Sequence, residues 1–234
     1  MKSLIPLLFI VFGLNLIAAQ EETSATKEID SLYKEDQFYI GATYNILGTK
    51  PSGLNQTGFS LGFHFGFIKD MPINKKRNKA IGIGLGYSTN SFNNNLLVNN
   101  DTSGNATYSI IDEAIIGDYT KNKLSQHLIE LPIEFRWRTS TPENYNFWRI
   151  YTGFKLGYVL SSATKFKGDL GDFKIRNNDN FNDFQYGLSI SAGYNTWNIY
   201  AYYGLNSIFS NKAKIDDETI DMNAIKIGLI FYIL

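Results

Sequence analysis

The sequence predicts an all-β protein, an eight-stranded antiparallel transmembrane up-and-down β-barrel. Three observations carry that expectation. Phe59, Leu61, Phe63, Phe65 and Phe67 alternate with Ser60, Gly62, His64 and Gly66, and a strict period of two marks a half-buried strand. A phenylalanine row that full is easier to place against lipid than inside a soluble core. The same alternation recurs along the chain, and the connections between its segments are by turns long and short, as an outer-membrane barrel requires. A leader-like segment precedes them all.

In that leader Lys2 precedes an apolar run from Leu4 to Ala19, and Ala18-Ala19 before Gln20 resemble a cleavage site. Residues 1–19 therefore read as a secretory signal peptide. No later segment approaches the roughly 20 apolar residues of a spanning helix. The chain contains no Cys, which excludes a lipid-modified amino terminus, disulfides and thiolate zinc sites. Loss of Lys2 leaves 21 basic against 22 acidic residues and a formal charge of −1. Nucleic acid is not an expected partner of such a chain. Its mean hydropathy is ordinary for a soluble protein, but a barrel averages a lipid-facing row against a polar lumen-facing row.

Residues 20–36 are polar and read as a mobile or weakly helical periplasmic amino-terminal segment, with the barrel over 37–234. Strand one alternates Phe38, Ile40, Ala42, Tyr44 and Ile46 with Tyr39, Gly41, Thr43 and Asn45. Gly48 to Gly58, with Pro51 and Gly53, turns the chain into the phenylalanine strand. Lys69 to Lys79, holding Pro72, turns it again, and strand three alternates Ile81, Ile83, Leu85 and Tyr87 with Gly82, Gly84 and Gly86. These glycines do not form a dinucleotide loop, since apolar residues separate them and no helix opens afterwards.

Ser88 to Lys123 is the longest expected loop, polar with short apolar pieces at Ile110-Ile111 and Ile115-Ile116. Strand four sets Ile129, Leu131, Ile133, Phe135 and Trp137 against Leu128, Glu130, Pro132, Glu134, Arg136 and Arg138. Proline cannot donate to a ladder, so a bulge is expected at Pro132. Strand five sets Trp148, Ile150, Thr152, Phe154, Leu156 and Tyr158 against Arg149, Tyr151, Gly153, Lys155 and Gly157, and Gly168 to Asp183 is a polar loop. Strand six runs from Phe184 to Gly193, Asn195-Thr196 is a tight turn, strand seven runs from Trp197 to Leu205, and Ile225 to Ile233 completes the set. Trp137, Trp148, Tyr194 and Trp197 then share the periplasmic rim as an aromatic girdle.

A soluble barrel could carry the same period with its apolar row turned inward. The other row decides between them. A face of Gly41, Gly62, Gly66, Gly82, Gly84, Gly86, Gly153, Gly157, Gly187, Gly193 and charges is a poor solvated exterior, because glycine weakens strands. It can line a crowded interior. Eight strands enclose a space that side chains fill, so a diffusion pore is not expected. Glu130, Glu134, Arg136, Arg149, Lys155 and Lys226 should pair across that lumen as a structural ion network.

No cofactor, metal or catalytic group is expected. His64 and His127 lack metal-ligand spacing. Ser125, His127 and Glu130 could be assembled into a triad of the kind used by barrels that modify lipid A, but geometry and not proximity in sequence defines a triad. Asp169, Asp172, Asp179 and Asp183 lack the glycine and final glutamate of a calcium loop and read as a solvated segment. Lys69, Lys75, Lys76, Arg77 and Lys79 form a basic periplasmic turn, which solvation alone can explain or which could contact a partner.

Asp30-Ser-Leu-Tyr33, Gln37-Phe-Tyr-Ile-Gly-Ala-Thr-Tyr-Asn45, Gly66-Phe-Ile-Lys-Asp-Met-Pro-Ile-Asn74 and Glu130-Leu-Pro-Ile-Glu-Phe-Arg136 resemble the PorT barrels of Bacteroidota, called SprT in gliding species. The similarity runs from about Asp30 to Leu234, with Asp70-Met-Pro-Ile-Asn74 its most telling piece. It implies an integral barrel of the Gram-negative outer membrane that is not an enzyme. It further implies support of type IX protein secretion and gliding through contacts with export components, besides the barrel's contact with outer-membrane lipid. Two other readings stand beside it: a generic small barrel for envelope integrity or adhesion, and a lipid A-modifying enzyme.

Overall fold

The computed structural model describes residues 34–140 and 147–233. The expected signal peptide, most of the amino-terminal segment and the middle of one short connection lie outside the described residues.

Thirteen strands occur among the described residues: β1 Gln37–Leu47, β2 Leu61–Pro72, β3 Lys79–Asn93, β4 Leu96–Asn100, β5 Ala106–Ile110, β6 Tyr119–Arg138, β7 Trp148–Gly168, β8 Gly171–Arg176, β9 Phe184–Tyr194, β10 Trp197–Gly204, β11 Lys214–Ile215, β12 Glu218–Thr219 and β13 Ala224–Ile233. A short helix, α1, covers Glu113–Ile116. Eight strands pair in the cyclic order β1-β2-β3-β6-β7-β9-β10-β13, and β1 with β13 closes the ring. Every one of these pairings is antiparallel. This is the all-β, closed eight-stranded barrel that the alternation predicts.

Side-chain direction follows from the period. In β1, Phe38, Ile40 and Tyr44 are exposed on the wall while Tyr39, Thr43 and Asn45 are buried in the lumen. Ala42 stands between Phe63 and Leu229 on the adjacent strands, so the outer rows run on around the barrel. Phe63 is 53% exposed, Leu85 64% and Ile199 67%. No water-soluble globule leaves such a belt bare, whereas acyl chains cover it. Lumen glycines sit beneath large side chains: a Cβ on Gly86 would strike the Tyr39 hydroxyl, and one on Gly187 would lie 2.6 Å from the Tyr202 ring.

Several expected boundaries move. β6 has 20 residues and β7 has 21, about twice the 9–11 that cross a bilayer, so both run on past the wall. The expected long loop is structured: β3 continues to Asn93, β4 and β5 form a hairpin, α1 follows, and β6 begins at Tyr119. The polar loop after Gly168 contains β8, which pairs with the outer part of β7. The basic turn contracts to residues 73–78, because Lys69 lies within β2 and Lys79 opens β3, and this sharpens the contrast between short and long connections.

Pro132 produces no bulge. It faces the lumen opposite Lys155, and the β6–β7 register holds on both sides of it. The register shifts instead between His127 and Leu128, where Leu160 of β7 is the extra residue, and again near the outer end between Tyr119 and Lys121. The first of these sites marks the place where β6 and β7 leave the belt.

Candidate functional site

The lumen holds two ionic clusters. In the first, Glu130 of β6 accepts a hydrogen bond from Ser88 Oγ at 2.7 Å and pairs with Lys155 Nζ of β7 at 2.9 Å. Lys226 of β13 stands 4.0 Å from the same carboxylate, and His64 Nδ1 of β2 stands 3.7 Å from it. All four side chains are buried. Each cation also faces an aromatic ring: Lys155 Nζ is 5.1 Å from the centre of Tyr200 and Lys226 Nζ is 4.8 Å from that of Tyr202. Such contacts return part of the hydration lost on burial. One carboxylate thus serves two lysines, and a cavity of about 20 Å³ beside them has room for about one water molecule.

The second cluster closes the mouth on the side of the short connections, which in an outer-membrane barrel is the periplasmic side. Arg138 donates from both terminal nitrogens to the two oxygens of Asp70 at 2.8 Å. Arg136 donates to Asp70 Oδ1 at 3.0 Å, to Gln37 Oε1 at 2.6 Å and to the Glu35 carbonyl at 3.2 Å, while Glu134 pairs with its Nε at 3.3 Å. Asp70, Arg136 and Arg138 are all 0% exposed. The Arg136 guanidinium stacks 4.2 Å from the centre of the Tyr151 ring. Gly82 makes room for it, since a Cβ there would lie 2.8 Å from Arg136 Cδ.

Alternation predicts six residues in one network, and the structure distributes them. Glu130, Lys155 and Lys226 meet in the first cluster; Glu134 and Arg136 belong to the second. Arg149 is buried at the same mouth but makes no ion pair among the described residues, resting instead 4.5 Å from the centre of the Phe147 ring. Asp70, the anchor of the second cluster, is not among the six, because in sequence it sits in a basic run that reads as a turn. The period could have found it, since Asp70 falls on the lumen row of β2 after His64 and Ile68. The amino-terminal segment also behaves differently where it is described. Glu35 is buried, its N–H facing Asp70 Oδ2 at 3.4 Å, and Asp36 Oδ1 accepts from the Asp70 N–H at 2.7 Å. Burial raises the Glu35 carboxyl above its ordinary range, with Arg138 and Arg149 pulling it back.

An apolar core caps the outer mouth. Leu54, Leu96, Val98, Phe181, Ile208, Phe209, Ile220 and Met222 come from the long connections and pack on Leu47, Phe92, Leu124 and Ala224 at the outer ends of β1, β3, β6 and β13. The Phe181 and Phe209 rings lie 4.5 Å apart, tilted by 31°, and Ile208 donates its N–H to the Met222 carbonyl at 2.7 Å. The lumen is therefore filled from an ionic floor to an apolar lid.

On the wall, Tyr194 pairs in register with both Trp148 and Trp197, and its ring lies 5.3 Å from that of Trp148. Trp137 sits two strands away at the same end, opposite Lys79 and Ile150. Of the basic turn, Lys75, Lys76 and Lys79 are exposed, Lys69 lies on the outer wall beside Phe67 and Met71, and Arg77 is partly covered in a left-handed conformation with φ 52°.

The residues considered for a triad do not meet. His127 lies on the outer wall with its Nδ1 2.6 Å from the Tyr87 hydroxyl, Ser125 donates to the Ala163 carbonyl, and Glu130 points into the lumen from the opposite face of β6. Among the described residues no group of three or more His, Asp or Glu side chains is placed to hold a metal.

The family model described as outer membrane protein beta-barrel domain matches residues 18–210. Among solved structures, the chain is similar to Ail, the attachment invasion locus protein of Yersinia pestis. Its complex with the heparin analogue sucrose octasulfate gives a TM-score of 0.38 at 12% identity, over 86% of this chain and 100% of that one. The crystal structure of Ail itself gives 0.37 at 12% identity with the same coverage. Neither likeness is close enough to bear on function. No curated protein matches the sequence.

Proposed function

We propose, for a chain that belongs to the family of outer-membrane protein β-barrel domains, a non-enzymatic and non-conducting role in type IX protein secretion, exercised through contacts with export components. A small integral barrel of the outer membrane can act through its lumen, its wall or its rims. The observation that carries this reading is the lumen filled at both ends, by Asp70 with Arg136 and Arg138 below and by the Phe181–Phe209 core above. Function then falls to the rims and the outer projection. The secretion pathway itself is supported by the resemblance of Gln37 to Asn45, Gly66 to Asn74 and Glu130 to Arg136 to PorT barrels. In two of these stretches lie Asp70 and Arg136, the pair that seals the periplasmic mouth.

Partner contact falls to the basic turn, where Lys75, Lys76 and Lys79 are exposed at the periplasmic end. Deletion of the gene should block secretion of proteins that carry the carboxy-terminal sorting domain, and a photo-crosslinker at Lys75 should capture an export component in intact cells. Normal cargo secretion in the deletion strain would refute the reading. A second reading, a barrel for envelope integrity or adhesion, is favoured by one observation: β6, β7 and β8 project outward beyond the lipid belt. An envelope-stress phenotype with secretion intact would select it.

A further inference from the structure

Outside the belt, β6, β7 and β8 form a three-stranded sheet whose two faces differ sharply. Leu124, Phe166, Phe173 and Ile175 lie on the inner side, where Leu124 joins the outer core with Ile175 packed against it. Asn122 there donates to the carbonyls of Asn94 and Leu96 and docks the β4–β5 hairpin. The outer side carries Lys121, Lys123, Lys165, Lys167, Lys174 and Arg176, all at least partly exposed. Asp172 is the one acid in the paired rows of that face, and it is engaged by Lys167 at 2.9 Å.

The register makes this arrangement costly. Lys123 stands directly opposite Lys165, and Lys165 directly opposite Lys174, so three ammonium groups share one cross-strand row. Like charges placed so are destabilising in water. Lys123, outside the spanning part of β6, has its affinity for a proton lowered by partial burial and then by Lys121, Lys165 and Lys174. A row of this kind becomes favourable when an anion spans it.

Its height above the membrane says which anion. On β6 and β7 the lipid-facing rows end at Ile129, Tyr158 and Leu160. From Ile129 to Lys123 a strand rises about 20 Å along its length, or about 15 Å above the belt at a tilt near 40°. That is beyond the acyl boundary and within the sugar layer of an outer-leaflet glycolipid. The face stands directly over its own wall, so this layer surrounds it at all times, whereas a soluble polyanion would have to displace it.

We infer that the outward face of the β6–β7–β8 sheet binds the phosphate or carboxylate groups carried by the sugars of the outer-leaflet glycolipid, with Lys123, Lys165 and Lys174 as its central contact. This inference does not depend on the secretion role. The test purifies the full-length barrel from its own outer membrane and measures co-purifying glycolipid phosphate and sugar per barrel. The triple variant K123T/K165T/K174T, with threonine chosen as a strand former, should retain about tenfold less. A periplasmic variant, K75T/K76T/K79T, should retain the wild-type amount, as should K123R/K165R/K174R. Heat-modifiable gel mobility checks folding, and the arginine variant keeps the test open if the threonine variant does not fold, because glycolipid loss in it would count against the inference. Equal glycolipid in the threonine variant and the wild type would overturn it. So would a sulfated oligosaccharide that binds the detergent-purified wild type and not the threonine variant while glycolipid retention is the same in both.

Discussion

Arg138 holds Asp70 by two parallel hydrogen bonds of 2.8 Å, and neither side chain is exposed to solvent. The pair joins the periplasmic end of β2 to that of β6 across β3, and Arg136 adds a third bond to the same carboxylate. Removing that carboxylate takes away the charge that the two buried guanidinium groups share, leaving Arg136 its 3.3 Å contact with Glu134.

Asp70→Asn should therefore lower stability by about 3–5 kcal/mol, the usual cost of breaking a buried ion pair from one side. Urea unfolding in detergent micelles, followed by gel mobility, measures it. A loss below about 1 kcal/mol, the range of an exposed pair, would show that water reaches the mouth.

Glu130 predicts a non-additive result. Glu130→Gln leaves Lys155 and Lys226 without their carboxylate, and a loss of about 3–5 kcal/mol is expected. The double variant E130Q/K155M should be more stable than E130Q alone, because one of the orphaned charges is gone. Equal or greater loss in the double variant would contradict the pairing at 2.9 Å.

Gly82 tests the crowding of the lumen. Its Cβ position lies 2.8 Å from Arg136 Cδ and 2.9 Å from Ile68 Cγ2, so Gly82→Val should cost about 1–3 kcal/mol by overpacking although valine favours strands. A neutral or stabilising outcome in the same urea titration would mean that the interior yields there.

The tryptophans test the girdle. Trp137, Trp148 and Trp197 all sit at one end of the wall, so lipids brominated near the headgroup should quench their fluorescence more than lipids brominated near the chain terminus. Stronger quenching by the deep bromines would place the rim elsewhere.

The alternation of Phe63, Leu85, Phe154 and Leu229 with glycine and polar residues made the barrel legible, because within the bilayer the two faces of a strand meet opposite solvents. Outside the bilayer that rule lapses. Lys121, Lys123, Lys165 and Lys167 replace the outward apolar row while Leu124 and Phe166 turn apolar inward, so the period reverses sign and the ends of β6 and β7 were hidden. The outer core was invisible for another reason: Leu54, Leu96, Phe181, Ile208 and Met222 are scattered over separate connections with no period to betray them. Of the ionic residues, Glu130, Lys155 and Lys226 are legible as lumen groups and do meet there, whereas Asp70, the partner of Arg136 and Arg138, is hidden in a stretch that reads as a turn. Pairing depends on register and shear, which set Asp70 beside Arg138 across 68 residues of sequence.

The orientation of the apolar rows is the claim on which the rest depends, and the absence of cysteine makes it simple to test. Single cysteines at Phe63, Phe154 and Leu229, labelled with an environment-sensitive fluorophore, can be reconstituted with lipids brominated along the acyl chains. Quenching at all three positions is predicted. Emission unchanged by bromination at all three, in protein shown to be folded, would contradict the account.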